Sequence, residues 1–391
     1  MMIGSIVLVT LGGLVVRHVC IKVNIPPLIG FLVIGIFLGP FTLDVLSDDL
    51  LNRSSEIRTI ALIIILSKAG LAMNISDFKH VGGSAIRMCF VPAMIEIIGT
   101  MLFAPLLIGL SLLESALLGS IIAAVSPAVV VPRMVQCIEK GYGKEHSVPQ
   151  IILAGASVED VIVLVLFSSL LGLYQSADSA FLQLIDIPIS MILGTLACLV
   201  VGNLLVWLFK RYRIFDSIKV LLLLSISLVF MAVESRLAGI VAFSGMHSVL
   251  GINVIILNKN KIVAQRLAKK FNYLWIIGEI FLFVLVGASV NIDYAIAAGF
   301  MPILLILVLA AIRMIGVFLS LSKTRLTLKE KSFCMIAYLP KATVQAAVGS
   351  VPLSLGLPAG EMILTVAVLA ILITAPMGAF LIDSFVRNVK I

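Results

Sequence analysis

Two adjacent acids, Glu159 and Asp160, stand in a run from Ser147 to Gly172 that carries no other charge. The run is about as long as one helix crossing a bilayer. A carboxylate at membrane depth costs at least about 2.5–3.5 kcal/mol, and acids placed there mark ion or proton pathways. Burial disfavours the charged form of a carboxylate, and a neighbouring acid disfavours it further. Such a group holds either a proton or a metal cation on the same oxygens. That competition suffices for exchange, with the carrier reorienting under one load in each direction. Successive residues on a helix point about 100° apart, so one acid can bind an ion while the other pairs with a base. The competing reading makes both acids structural ion-pair partners of Lys341 and Arg313.

A second chemical feature is a pair of helix interruptions. The stretch Ala124 to Pro132 reads AVSPAVVVP, and Pro127 and Pro132 each remove a backbone donor and clash with the preceding turn. The stretch Tyr338 to Gln345 reads YLPKATVQ, with Pro340 beside Lys341 and with Gly349 and Pro352 following. Unwound backbone at membrane depth is tolerated only where it is buried in protein or lines a cavity. A simple proline kink is the alternative for each helix, but paired interruptions in corresponding positions point to a secondary transporter's binding site. Broken ends expose amides and carbonyls of opposite partial charge. Lys341 is placed to neutralise converging carbonyl ends, and Ser126 and Thr343 supply hydroxyls. With Asp160, these hard oxygens suit a small monovalent cation. The absence of a His/Cys cluster argues against zinc or copper. No cofactor is expected, and a sodium ion at Asp160 would be cargo.

The elements that must position these residues follow from composition. Of 391 residues, 61% are hydrophobic and 12% charged, and the mean hydropathy is +1.21. About 25% charged residues is usual for a soluble domain, so the chain reads as an all-α polytopic membrane protein. Thirteen apolar runs lie near 3–20, 26–41, 57–74, 83–108, 113–136, 148–174, 184–209, 215–235, 238–257, 273–292, 297–321, 330–354 and 361–385. No basic leader or small-residue cleavage site precedes the first run, so it is read as a span. Lysine and arginine crowd the segments on one side, while the other carries only Arg53, Arg58 and Arg236. By the positive-inside rule the N-terminus is external and the C-terminus cytoplasmic. The net charge of +8 is then a topology signal, and a nucleic-acid partner is excluded. The five cysteines have no metal-type spacing and read as small packing residues.

Charges left at membrane depth are Lys68, Glu96, Glu159, Asp160, Glu279, Arg313 and Lys341. Lys68 and Glu279 lie nearer span ends and suit snorkelling or a structural pair. His247, in the ninth span, reads as a packed or pore-side histidine. A weak repeat joins Gly70–Ile75 (GLAMNI) to Gly287–Ile292 (GASVNI), seven spans apart. An odd offset makes one copy inverted. It maps Glu96 in span four onto Arg313 in span eleven, and the break in span five onto that in span twelve. A mutual salt bridge is the expectation for Glu96 and Arg313.

Several stretches resemble the sodium/proton antiporters of the cation:proton antiporter superfamily, closest to the NHA-like branch. They include Pro26–Gly30 (PPLIG), Lys68–Leu71 (KAGL), Ala124–Pro132, Gly141–Gly143 (GYG), the helix bearing Glu159 and Asp160, Leu339–Ala347 (LPKATVQAA) and Ile371–Pro376 (ILITAP). The resemblance implies a homodimer of thirteen-span protomers with inverted repeats and two crossing broken helices. It further implies a core of roughly 57–174 and 273–385, moving like an elevator against a dimerisation domain of roughly 1–56 and 215–257. A linker helix near 184–209 lies between them. Asp160 matches the family's ion- and proton-binding aspartate, Arg313 a basic residue facing the site, and Glu96 an acid able to pair with it. Glu159 departs from the pattern, since relatives carry Asp or Asn there. Its charge is kept, so the reading is an exchanger that still uses two acids.

The function expected is secondary active exchange of sodium, or lithium, for protons in a cell inner membrane. A potassium/proton antiporter is the runner-up. A cation channel needs a continuous pore, and an intramembrane aspartyl protease needs two acids from separate helices. The chain is therefore not expected to be an enzyme. Neither a regulatory tail nor a nucleotide-binding domain is expected after Ile391.

Overall fold

A computed structural model describes residues 2–23, 25–72, 83–143, 146–175, 180–237 and 243–388. In chain order the helices are α1 (Met2–Lys22), α2 (Pro27–Leu38), α3 (Asp48–Asn52), α4 (Ser54–Ala72), α5 (Gly83–Ile108) and α6 (Leu112–Ile122). They continue with α7 (Pro127–Glu139), α8 (Val148–Gln175), α9 (Ala180–Arg211), α10 (Asp216–Leu237), α11 (Gly245–Lys259) and α12 (Lys261–Ala288). The remainder are α13 (Ile292–Ala297), α14 (Met301–Ser320), α15 (Leu328–Ala337), α16 (Thr343–Val348), α17 (Val351–Ser354) and α18 (Gly360–Asn388). Among the described residues nine stretches are long and apolar enough to cross a membrane. With α2, α4, α11 and the interrupted 328–354 they correspond to the thirteen expected spans.

Two differences from the expected map are informative. The tenth span starts earlier, at Lys261 instead of 273. Lys, Arg, Gln, Ala and Leu are strong helix formers, and the buried Val263, Ala264, Leu267 and Phe271 give the basic stretch an apolar face. Charge therefore marks where the apolar run stops, not where the helix stops. The short helices α3 and α13 were not foreseen, being too brief to show periodicity. The start of the ninth span (238–242) and Met73, Asn74 and Ile75 of the repeat lie outside the described residues.

The chain packs as two compact units. The first comprises Met1–Ser55, Ser76–Val163 and Ile280–Ile391, and the second Glu56–Ile75 and Leu164–Glu279. In the first unit, α5 and α14 form the most extensive helix pair. A Cβ on Gly316 would lie 2.9 Å from the Cα of Pro92, and one on Gly99 2.8 Å from Ile312 Cδ1. Small residues let the two backbones close up, and the approach carries Glu96 and Arg313 into the same interior. Both interrupted spans open with a capping box, Ser111 with Glu114 before α6 and Thr327 with Glu330 before α15. Each resumes after its break at an N-cap, Ser126 before α7 and Ala342 before α16. Ser111 and Thr327 stand at the same sequence offset as Ser126 and Ala342, so the repeat extends to the helix ends.

In the second unit, α9 packs on α11. Ser248 donates to the carbonyl of Gly194, and His247 Nε2 lies 2.9 Å from Thr195 Oγ1. Lys68 and Glu279 fall in this unit and interact electrostatically. The five cysteines are buried and form no disulfides.

Candidate functional site

Every residue of α6 from Ser115 to Ile122 is buried, as is all of α16. Backbone groups freed at the two breaks must therefore find partners inside the protein. The breaks meet each other directly, because the Ser126 amide donates to the Pro340 carbonyl at 2.8 Å. The Lys341 amide donates to Thr374 Oγ1 on α18 at 2.9 Å. The Pro340 ring lies against Gly378, where a Cβ would come within 2.4 Å of its Cγ.

Arg313 is the hub. Its side chain is fully buried, and its planar fork of donors reaches four groups. Nε donates to the Tyr338 carbonyl at 2.6 Å, and Nη1 to Glu96 Oε2 at 2.5 Å and to the Ala123 carbonyl. Nη2 donates to Glu159 Oε2 at 2.6 Å. Ala123 and Tyr338 are the C-caps of α6 and α15. One guanidinium thus satisfies the carboxyl ends of both first half-helices, where the helix dipoles favour a cation. The sequence assigned that task to Lys341. Lys341 Nζ instead contacts both oxygens of Glu96, at 2.8 and 2.7 Å. Pattern reading names residues near a break but cannot say which side chain points into it.

Gln345 escaped the sequence reading as a site residue. Its Nε2 donates to the carbonyls of Ile121 and Ala124 at 3.1 and 2.9 Å, tying α16 to the last turn of α6. The signal available was a lone amide side chain in an apolar stretch, which must find partners if buried. Tyr338 was likewise passed over. It stacks with its ring 5.4 Å from the Arg313 guanidinium carbon.

Glu159 and Asp160, adjacent on α8, have different surroundings. Glu159 is fully buried, with Oε2 on Arg313 and Oε1 without a hydrogen-bond partner. Asp160 is half-buried, has no ion pair among the described residues, and its Oδ1 is buried without a hydrogen bond. Ser126 Oγ and Gln345 Oε1 are also buried and unpartnered, and Thr343 is buried. Glu96, Glu159, Arg313 and Lys341 balance one another, which leaves Asp160 as the uncompensated charge of the group. Pro127 is the first residue of α7, and Pro132 lies within that helix. Arg133 on α7 makes a two-bond ion pair with Asp383 on α18, at 2.9 and 3.0 Å.

With this geometry in hand, comparison with known proteins is specific. Residues 6–387 match the family profile described as sodium/hydrogen exchanger, transmembrane. The chain is 32% identical to the human sodium/hydrogen exchanger 9B2 over 380 residues, covering 92% of this chain and 68% of that protein. It is 30% identical to the human exchanger 9B1, covering 95% of this chain and 74% of that protein. Among solved structures, the sodium proton antiporter MjNhaP1 of Methanocaldococcus jannaschii superposes with a TM-score of 0.84 at 21% identity, covering 99% of this chain and 97% of that one.

Proposed function

Because the chain belongs to the transmembrane sodium/hydrogen exchanger family, we propose that it is a secondary active antiporter exchanging sodium, with lithium as a second cargo, against protons. The observation that carries this reading is Asp160: an unpaired carboxylate beside a charge-balanced buried cluster and two broken helices. A proton or a dehydrated cation restores neutrality there, and each excludes the other from the same oxygens. Ser126 Oγ, Thr343 and Glu159 Oε1 supply the further hard oxygens a small alkali cation requires. Arg313, Lys341 and Glu96 hold the crossing rigid and set its charge.

Alternating access follows the elevator scheme. A core of about 57–174 and 273–385 moves against 1–56 and 215–257, linked by the helix near 184–209, within a homodimer. This division is one of motion, and it differs from the static packing units, the first of which joins 1–55 to the site-bearing helices. We place the protein in a cell inner membrane with the N-terminus outside and the C-terminus in the cytoplasm, the orientation that the distribution of lysine and arginine supports.

The test is purified protein in proteoliposomes. An imposed pH gradient should drive sodium uptake, and added sodium should discharge a pH gradient. Asp160→Asn should abolish both while leaving the melting temperature equal or higher, since it removes a half-buried charge that has no ion pair among the described residues. Wild-type exchange in Asp160→Asn would refute the assignment, and sodium flux without proton counter-movement would indicate a channel. Replacing sodium by potassium in the same assay decides between the two cargoes.

A further inference from the structure

The Tyr338 hydroxyl has no part in the exchange scheme above, yet it is buried at the crossing. Tyr338 is the C-cap of α15, its side chain is fully buried, and its Oη has no hydrogen-bond partner. We propose that this hydroxyl is a direct ligand of the transported cation, acting with Glu159 Oε1 over a notch at Gly155, and that it sets the affinity for sodium. The inference rests on the antiport reading above and adds a ligand to its site.

Packing accounts for the ring but not for the oxygen. The ring stacks 5.4 Å from the Arg313 guanidinium carbon and shares a core cluster with Met88, Ile152, Ala156 and Cys334. A phenylalanine would make the same contacts. The main-chain carbonyl of Tyr338, which accepts from Arg313 Nε, is indifferent to the side chain. A buried hydroxyl left unpaired costs about 1–3 kcal/mol. Its presence calls for a partner that the fold does not itself supply.

The surroundings select that partner. A Cβ on Gly155 would lie 2.0 Å from Tyr338 Oη, so the hydroxyl takes the space that a side chain at 155 would fill. Gly155 stands four residues before Glu159 on α8, and so on the same face. Helical side chains lean towards the N-terminus and cover the preceding turn, which brings the Glu159 carboxylate over the same notch. The two groups interact electrostatically. Glu159 Oε2 is taken by Arg313 Nη2, whereas Oε1, like Tyr338 Oη, is buried without a partner. The basic groups nearby are already committed. Arg313 serves Glu96, Glu159 and two carbonyls, and Lys341 Nζ contacts both oxygens of Glu96. A hydroxyl and a carboxylate oxygen are hard donors, suited to replacing part of the water shell of an alkali cation.

Tyr338→Phe keeps the ring and removes only the oxygen. In proteoliposomes the apparent KM for sodium should rise about three- to tenfold, the worth of one uncharged contact, while the rate at saturating sodium stays near wild type. In detergent, with choline chloride holding the ionic strength, the melting temperature without sodium should equal or exceed that of the wild type. The sodium concentration that raises it should increase by the same factor as the KM. A lower melting temperature, whatever the KM, means that the hydroxyl serves packing and overturns the proposal. An unchanged KM means that water alone pairs the hydroxyl, and overturns it too. Both results leave antiport intact. Absence of any sodium-driven pH change in the wild type overturns the antiport reading and the ligand with it.

Discussion

Replacing Arg313 by methionine is the most searching test of the buried cluster. The change removes four hydrogen bonds while keeping a long apolar stem. Glu96 keeps its contacts with Lys341 at 2.8 and 2.7 Å, so its charge stays compensated. Glu159 loses its ion-pair partner, and the carbonyls of Ala123 and Tyr338 lose the donor that closes their helix ends. Breaking a buried pair from one side costs about 3–5 kcal/mol, and each stranded carbonyl adds about 1–3 kcal/mol. The lower ends of these costs come to about 5 kcal/mol, so at roughly 2 °C per kcal/mol for a chain of this size the melting temperature should fall by at least about 10 °C. Fluorescence-detected thermal denaturation in detergent measures this. Arg313→Met combined with Glu159→Met should recover part of the loss, because removing both charges is far cheaper than orphaning one. A single variant that melts within about 2 °C of the wild type, or a double variant no better than the single, would refute the idea that Arg313 holds the crossing together.

Three further outcomes are expected. Gly155→Ala should destabilise by about 1–3 kcal/mol through overpacking, since its Cβ would lie 2.0 Å from Tyr338 Oη and 2.9 Å from Met88 Cβ, and Tyr338→Phe should relieve only the first of these clashes. Thermal shift of the single and double variants checks both. Gln345→Leu strands carbonyls at the end of α6 and should cost about 1–3 kcal/mol. Its sodium-driven proton release in proteoliposomes should also fall, and unchanged transport would separate Gln345 from the site. On the proposed sharing of Asp160 by proton and sodium, the apparent KM for sodium should rise about tenfold per pH unit on the acid side of the optimum. A KM that stays flat as protons accumulate there would contradict a shared site.

Much of the architecture was open to reading from the chain itself. Hydrophobic run length sets the spans because lipid leaves the backbone no partner but itself. Four of the buried charges, Glu96, Glu159, Arg313 and Lys341, could be named for the same reason, since a charge stands out inside an apolar run, whereas the buried Arg58, Lys219 and Glu330 lie near run ends and were passed over. Even the inverted repeat surfaced, through two short matching stretches and two proline-bearing breaks. Helix ends were less legible. The basic turns of α12 read as a loop because charge marks the membrane boundary, whereas helix propensity decides the helix boundary.

Only the tertiary structure decided who pairs with whom. Glu159 and Asp160 are neighbours in sequence and alike in charge, yet one meets Arg313 and the other has no ion pair among the described residues. Lys341 lies at the break in sequence, but its ammonium turns to Glu96, and the carbonyl ends of both broken helices converge on Arg313 from α14. Residue type and spacing specify which groups must be neutralised. The direction of each side chain, and hence which acid is left without an ion pair among the described residues, depends on how closely α5, α14 and the two broken helices pack, and that is a property of the fold.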